Sequence, residues 1–212
     1  SDFGTLDGAV ASMKGVAVGV SPDLHIYDLT HHIPPFDIWQ GALRLAQTAE
    51  YWPKGTVFVS VRDEDKDAML GPMRELADIG FNRLSFGVQD LDPDVQQAIN
   101  REQSYETTAR AVDRFREAGV RSVNIDLVYG LPHQTRDSVA ATIERVIELA
   151  PDRIALFGYA HLPSRLPHQR RIDETRLPGP IERLAQASRA ADRLSAAGYV
   201  RVGLDHFALA GD

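Results

Sequence analysis

Gln89 and Asp90 follow the apolar run 83–88, Asp126 stands near the end of the run 122–128, and His161 follows the run 153–159. Asp205 and His206 close a further run, 200–205. If these runs are parallel strands, all of these residues lie where strand-to-helix loops converge, the edge at which α/β sheets bind ligands. An Asp and a Gln there can accept from and donate to a ribose diol, and an Arg can pair with a carboxylate. Thiolate chemistry has no source, because the 212 residues include no cysteine. Iron–sulfur clusters depend on such soft ligands, and His31 and His32, placed before Pro34-Pro35 on one loop, do not replace three of them. Disulfides are excluded on the same count.

The elements that would position these groups alternate between short β-rich runs and longer stretches of helical period. Strand candidates are 24–29, 56–61, 83–88, 122–128, 153–159 and 200–205, several of them continuously apolar like strands covered on both faces. Over 135–149, Val139, Ile143, Val146, Ile147 and Ala150 share one helical face, Thr135 can cap the start, and Pro151 stops the helix. A helix over 104–118 is expected to bury Tyr105, Ala109, Val112 and Phe115 and to end at Gly119. Asp37 and Gln40 have capping-box spacing for a helix over 38–50, and Pro72 opens one running to about Ile79. The fold class is therefore α/β: a mostly parallel sheet of alternating βα units in a single domain, either open or a partial (β/α) barrel. Both forms leave edges through which copies of the chain can pair as homo-oligomers.

Composition narrows the partners. A net charge of -7 without any basic run argues against nucleic acid, which calls for clustered positive charge. No apolar stretch approaches the roughly 20 residues needed to cross a bilayer, and no signal-like start is present, so a soluble cytoplasmic protein is expected. Each polar candidate also has a plainer reading. Asp126 can be a satisfied structural group, Arg101 half of a surface ion pair, and Trp39 and Trp52 packing anchors. Asp205-His206 is spaced like a dyad, yet neither a metal site nor a catalytic residue is assigned from it.

The runs GFNRLSFGVQDLDPDVQQAINREQ (80–103), SVNIDLVYGLPHQT (122–135), PDRIALFGYAHLP (151–163) and GYVRVGLDHFAL (198–209) carry a resemblance. Residues 62–212 resemble oxygen-independent coproporphyrinogen III oxidase, a radical S-adenosylmethionine (SAM) family of porphyrin biosynthesis. The resemblance implies SAM contacts from a Gln after FGV, the Arg of the following NR, the Asp and Val of the NIDLV segment, and backbone at the Ala of FGYAH. Those positions are Gln89, Arg101, Asp126, Val128 and Ala160. The family's CxxxCxxC segment, its glycine-rich loop for the methionyl amino group and its substrate-covering C-terminal domain lie outside the matching region. Arg62-Asp63-Glu64 replaces a DPR segment. No [4Fe-4S] cluster is expected, since the chain offers no thiolate.

Upstream, SDFGTLDGAVASMKGV (1–16), LTHHIPPFDIWQGA (29–42) and YWPKGTVFVSV (51–61) resemble the N-terminal domain of the SAM hydroxide adenosyltransferase and fluorinase family. That resemblance implies a ribose contact from Asp2 and a ligand-side aromatic at Phe36, while the family's DPGVG loop is missing after Val61. The join near Val61 keeps strand and helix in phase and has no Gly/Ser/Pro-rich linker, which suggests a deliberate recombination of equivalent βα units. The expected function is that of an engineered chimera without turnover, holding an adenosyl ligand such as SAM weakly at most. The alternative is a remnant oxidase, or a SAM hydrolase or adenosyltransferase, with residual activity.

Overall fold

A computed structural model describes residues 9–34, 38–59 and 82–211. The chain divides into two compact units, Ser1–Phe81 and Asn82–Asp212. Asp2, Phe36, Asp37, Val61, the side chain of Trp39 and the helix expected over 72–79 all fall outside the described residues.

In the first unit α1 spans Ala9–Val20 and α2 spans Ile38–Ala49. Helix α1 has no counterpart among the expected elements, because its apolar residues are not confined to one face; Val16 and Val20 are exposed. The strand expected over 24–29 is not formed, nor is one formed over 56–59. Both runs have β-forming composition, but a strand exists only through ladder bonds to a neighbour, and none is formed among the described residues. Leu24, Val57 and Val59 are accordingly exposed. An aromatic trio ties the two runs together, with Tyr27 and Trp52 centroids 5.3 Å apart and Trp52 and Phe58 6.4 Å apart. Trp52 thus packs, as its plainer reading held. His31 is a loop residue whose Nε2 lies 2.9 Å from Asp28, which also meets Lys14 at 2.6 Å.

The second unit runs β1 (Arg83–Gln89), α3 (Pro93–Ala98), α4 (Tyr105–Glu117), β2 (Ser122–Tyr129), α5 (Arg136–Glu148) and β3 (Arg153–Gly158). Two 3-10 turns, Pro167–Arg171 and Glu174–Arg176, then lead to α6 (Pro180–Ala196), β4 (Tyr199–Val202) and β5 (His206–Leu209). Strand order is β1-β2-β3-β5-β4, an open sheet among the described residues. The first three strands are parallel because a helical crossover separates each from the next. The last two form an antiparallel hairpin, which corrects the single strand expected over 200–205. Gly203, at φ +69°, turns the chain after Val202, so His206 opens a strand instead of closing one.

Helix boundaries follow the local chemistry. Thr135 caps α5 by accepting from the Ser138 N–H, while the Ser138 hydroxyl accepts from the Thr135 N–H. At the end of α4, Gly119 takes φ +94°, its N–H reaches Arg116 O, and the Val120 N–H reaches Phe115 O at 3.0 Å. That pair of bonds closes the helix.

Strand β2 alternates more than its apolar sequence suggests, whereas β3 buries Ile154, Ala155 and Leu156 in succession. Val123, Ile125 and Leu127 are fully buried together with Ile154 and Leu156, Phe86 and Val88 of β1, and Phe207 of β5. Their partners come from the helices: Val112 and Phe115 of α4, Val139, Ile143 and Val146 of α5, Ala190 and Leu194 of α6. Two expected helix faces shift slightly. In α4, Thr108 and Ala111 are buried in place of Tyr105 and Ala109, and in α5, Ala140 and Thr142 in place of Ile147 and Ala150. The reason is the crossing geometry: Tyr105 turns outward to stack under Arg145, 3.9 Å from its ring centroid. The opposite sheet face carries Ser85, Asn124, Asp126 and His206, and it holds the candidate site.

Candidate functional site

The end of β1 is built irregularly. Its pairing with β2 slips between Gly87, opposite Asp126, and Gln89, opposite Leu127, a bulge that leaves Val88 unpaired. Bulges re-aim the side chains that follow them. Gln89 then adopts φ +68°, a conformation that costs a non-glycine residue about 1–2 kcal/mol. Asn100, beyond α3, is also left-handed, at φ +54°. Gln89 and Asn100 line the same cavity, and strain of this kind collects at ligand sites. The sequence reading missed Asn100, although Asn is among the non-glycine residues that best tolerate this backbone.

Asp90, flagged in the sequence with Gln89, proves to be structural. It is 1% exposed, and its carboxylate accepts from the Asp92 N–H at 2.7 Å, Thr142 Oγ1 at 2.8 Å and Gln134 Nε2 at 2.5 Å. Burial pushes its pKa up, opposed by those three hydrogen bonds. Gln134 also donates to Val128 O, and Gln186 of α6 bridges the Gly130 N–H and Gln134 O. These buried amides satisfy the backbone where the chain leaves β2, so the loops above the sheet are rigidly held.

Asp126 sits on the opposite face of β2. Its Oδ1 accepts from Ser85 Oγ at 2.9 Å and Asn124 Nδ2 at 2.6 Å. Burial raises its pKa first of all; the two hydrogen bonds and the charges of His206 and Arg101 pull it back. Arg101 donates from Nη2 to Gly87 O, 3.1 Å away. Gln89, Arg101 and Asp126 are therefore gathered at the ends of two adjacent strands.

A cavity of about 320 Å³ opens beside Gln89; Arg101 and Asp126 are not among its lining residues. Gln89 and Val128 line it, with an apolar floor from Ile99, Leu131 and Ile172 and polar groups from Asn100, Tyr159 and Arg171. Ala160 is not among its lining residues; its carbonyl accepts from Gln169 Nε2 at 2.9 Å, and Gln169 itself lines the cavity. His161 is hydrogen bonded to Tyr159 and Glu174. His206 packs edge-on against Phe157, centroids 5.8 Å apart. Tyr159 and Arg171 also escaped the sequence reading, since the 3-10 segment that brings Arg171 over the strand ends has no periodic signature.

Comparison with known proteins divides along the chain. Residues 1–69 match the family model of the SAM hydroxide adenosyltransferase N-terminal domain. The remainder is similar to coproporphyrinogen III oxidases: 52% identical over 140 residues to the anaerobic enzyme of Cereibacter sphaeroides, covering 66% of this chain and 31% of that protein. The sequence carries similarity to two families, one in each part of the chain. The oxygen-independent enzyme of Pseudomonas aeruginosa is 48% identical over 149 residues, 70% of this chain and 32% of its own. That of Paracoccus denitrificans is 43% identical over 171 residues, 81% of this chain and 36% of its own. The last alignment is longer than the stretch after residue 69, so the two similarities overlap instead of abutting. Among solved structures, the coproporphyrinogen III oxidase of Escherichia coli, a radical SAM enzyme, superposes with a TM-score of 0.68 at 37% identity, covering 81% of this chain and 41% of that one. The chain spans about a third of the length of the curated relatives it matches.

The cluster that radical SAM chemistry implies does not fit these residues. The chain has no cysteine, and no group of three or more His, Asp or Glu among the described residues could hold a metal ion. The Gln89 amide lines the cavity, while the Asp126 carboxylate and the Arg101 guanidinium lie near Gly87 and are not among its lining residues. No described helix is long and apolar enough to cross a membrane.

Proposed function

We propose that this chain is a recombined α/β protein that binds an adenosyl ligand weakly and performs no radical turnover. The observation that carries the reading is the gathering of Gln89, Arg101 and Asp126 around Gly87 at the ends of β1 and β2, where Gln89 and Val128 also line a cavity. Asp126 and Gln89 would bind the ribose hydroxyls, and Arg101 the carboxylate of SAM or S-adenosylhomocysteine; Ala160 would contribute backbone at the adenine end. Asp2 belongs to the other family's cradle and would add a second ribose contact only if it reached this cavity. The chemistry SAM supplies in the relatives starts at a reduced cluster, and this chain brings no thiolate to hold one. Its residues can bind and orient the ligand and exclude water from it.

Affinity follows from what is missing. Without the glycine-rich loop, the methionyl amino group loses hydrogen bonds worth roughly 1.5–3 kcal/mol each, which places Kd around the millimolar range. Calorimetric titration with SAM should give that weak binding, and Asp126→Ala should abolish it. Micromolar binding, or binding unchanged in Asp126→Ala, would overturn the assignment. Anaerobic reconstitution with iron and sulfide should give no thiolate charge-transfer band; a stoichiometric cluster spectrum would contradict the absence of turnover.

A further inference from the structure

Three side chains, starting from Tyr159 in the cavity wall, form a hydrogen-bonded line that the adenosyl reading does not use. Tyr159 Oη lies 3.0 Å from His161 Nδ1, and His161 Nε2 lies 2.9 Å from Glu174 Oε1. An ionised carboxylate only accepts, so Glu174 places the imidazole proton on Nε2. Nδ1 is then an acceptor, and the Tyr159 hydroxyl donates to it. This is the geometry of nucleophile, base and orienting carboxylate, with a phenol in the nucleophile's place. Glu174 is two-thirds exposed, so its contribution is orientation more than charge.

The line is held from both sides. Arg183 Nη2 donates to Tyr159 O, and Gln169 takes the Leu162 N–H while donating to Ala160 O. Burial keeps the Tyr159 phenol above its ordinary pKa, so the resting oxygen holds its proton and depends on a neighbouring base. His161 is in place to be that base. Arg171 supplies the positive charge among the described residues lining the cavity, and the floor is apolar.

We infer that Tyr159 is a nucleophilic, proton-transferring group of this cavity, with His161 as its base and Glu174 as a positioning residue. The matching ligand is a small molecule with an apolar body, a carboxylate for Arg171 and an electrophilic centre for the phenol oxygen. In the reaction with a sulfonyl fluoride, the Tyr159 O–S bond forms and the S–F bond breaks. Fluoride leaves, and the phenol proton passes to His161 Nδ1 and from there to solvent.

The test is labelling of the whole chain with 4-(fluorosulfonyl)benzoate, read by peptide mass spectrometry across its six tyrosines. Exposed Tyr27 and Tyr51 serve as internal references. Tyr159 should label roughly 10²-fold faster than either, the usual yield of a positioned base. His161→Gln should bring it down to the reference rate with the circular dichroism unchanged, and Glu174→Gln should slow it by about tenfold. Arg171→Ala should slow the carboxylate probe and leave phenylmethanesulfonyl fluoride unaffected. Labelling of Tyr159 no faster than Tyr27, or a rate indifferent to His161→Gln, would overturn the inference. Neither readout involves SAM, so failure here and failure of the adenosyl reading are separate results.

Discussion

Thr142→Val tests the claim that Asp90 is a buried, ionised structural group. Thr142 Oγ1 donates to the Asp90 carboxylate at 2.8 Å and is the acceptor nearest the Leu91 N–H, at 3.4 Å. Valine keeps the volume and removes the hydroxyl, leaving a 1% exposed carboxylate with two hydrogen bonds in place of three. A hydrogen bond to a charged group contributes roughly 1.5–3 kcal/mol, a neutral one about 0.5–1.5. Urea unfolding at pH 7 should therefore show a loss of about 2 kcal/mol with unchanged m-value, and about 1 kcal/mol less than that when Asp90→Asn is the background. The pH dependence has a definite sign. Because the folded pKa of Asp90 is raised, its favourable contribution is complete below the unfolded value near 3.8 and is lost as pH rises through the folded value. Thr142→Val pushes that folded value further up, so its cost must grow from a pH near the unfolded value of 3.8 to a pH above the folded value. Equal costs at the two pH values, or in the two backgrounds, would refute an ionised Asp90.

Gln89→Gly should raise stability by roughly 0.5–1 kcal/mol by relieving the left-handed backbone while weakening SAM binding; a loss of stability in urea would show that no strain is stored there. Asp126→Asn should be more stable than the parent at pH 7, with the gap closing as pH falls towards 3.8, since burial raises the Asp126 pKa and the neutral amide escapes that burden. A gap independent of pH would mean Asp126 is not desolvated. Amide hydrogen exchange should be slowest at Val123, Ile125 and Leu127 and fast over 24–29, which forms no strand among the described residues; strong protection over 24–29 would reveal a strand partner for that segment.

The parallel core was legible because each of its strands is bounded by a helix with its own start and stop signals. Thr135 and Gly119 act within a few residues of themselves, so their consequences are written locally. The failures were non-local. Residues 24–29 and 56–59 have strand composition, but a strand needs a partner's N–H and C=O groups, which composition does not provide. The hairpin at Gly203 was hidden because an apolar run with one glycine reads equally as a strand or a turn. Within the site, Gln89, Arg101 and Asp126 were visible as residue types at strand ends. That Asp90 faces inward to Thr142 and Gln134 while Asp126 faces the opposite side of the sheet depends on the bulge at Val88 and on packing of α5. The absence of thiolates, the charge and the two ancestries are properties of the chain alone, since each follows from which residues are present. The cavity, the left-handed Asn100 and the line from Tyr159 through His161 to Glu174 exist only when segments distant in sequence are folded into one place.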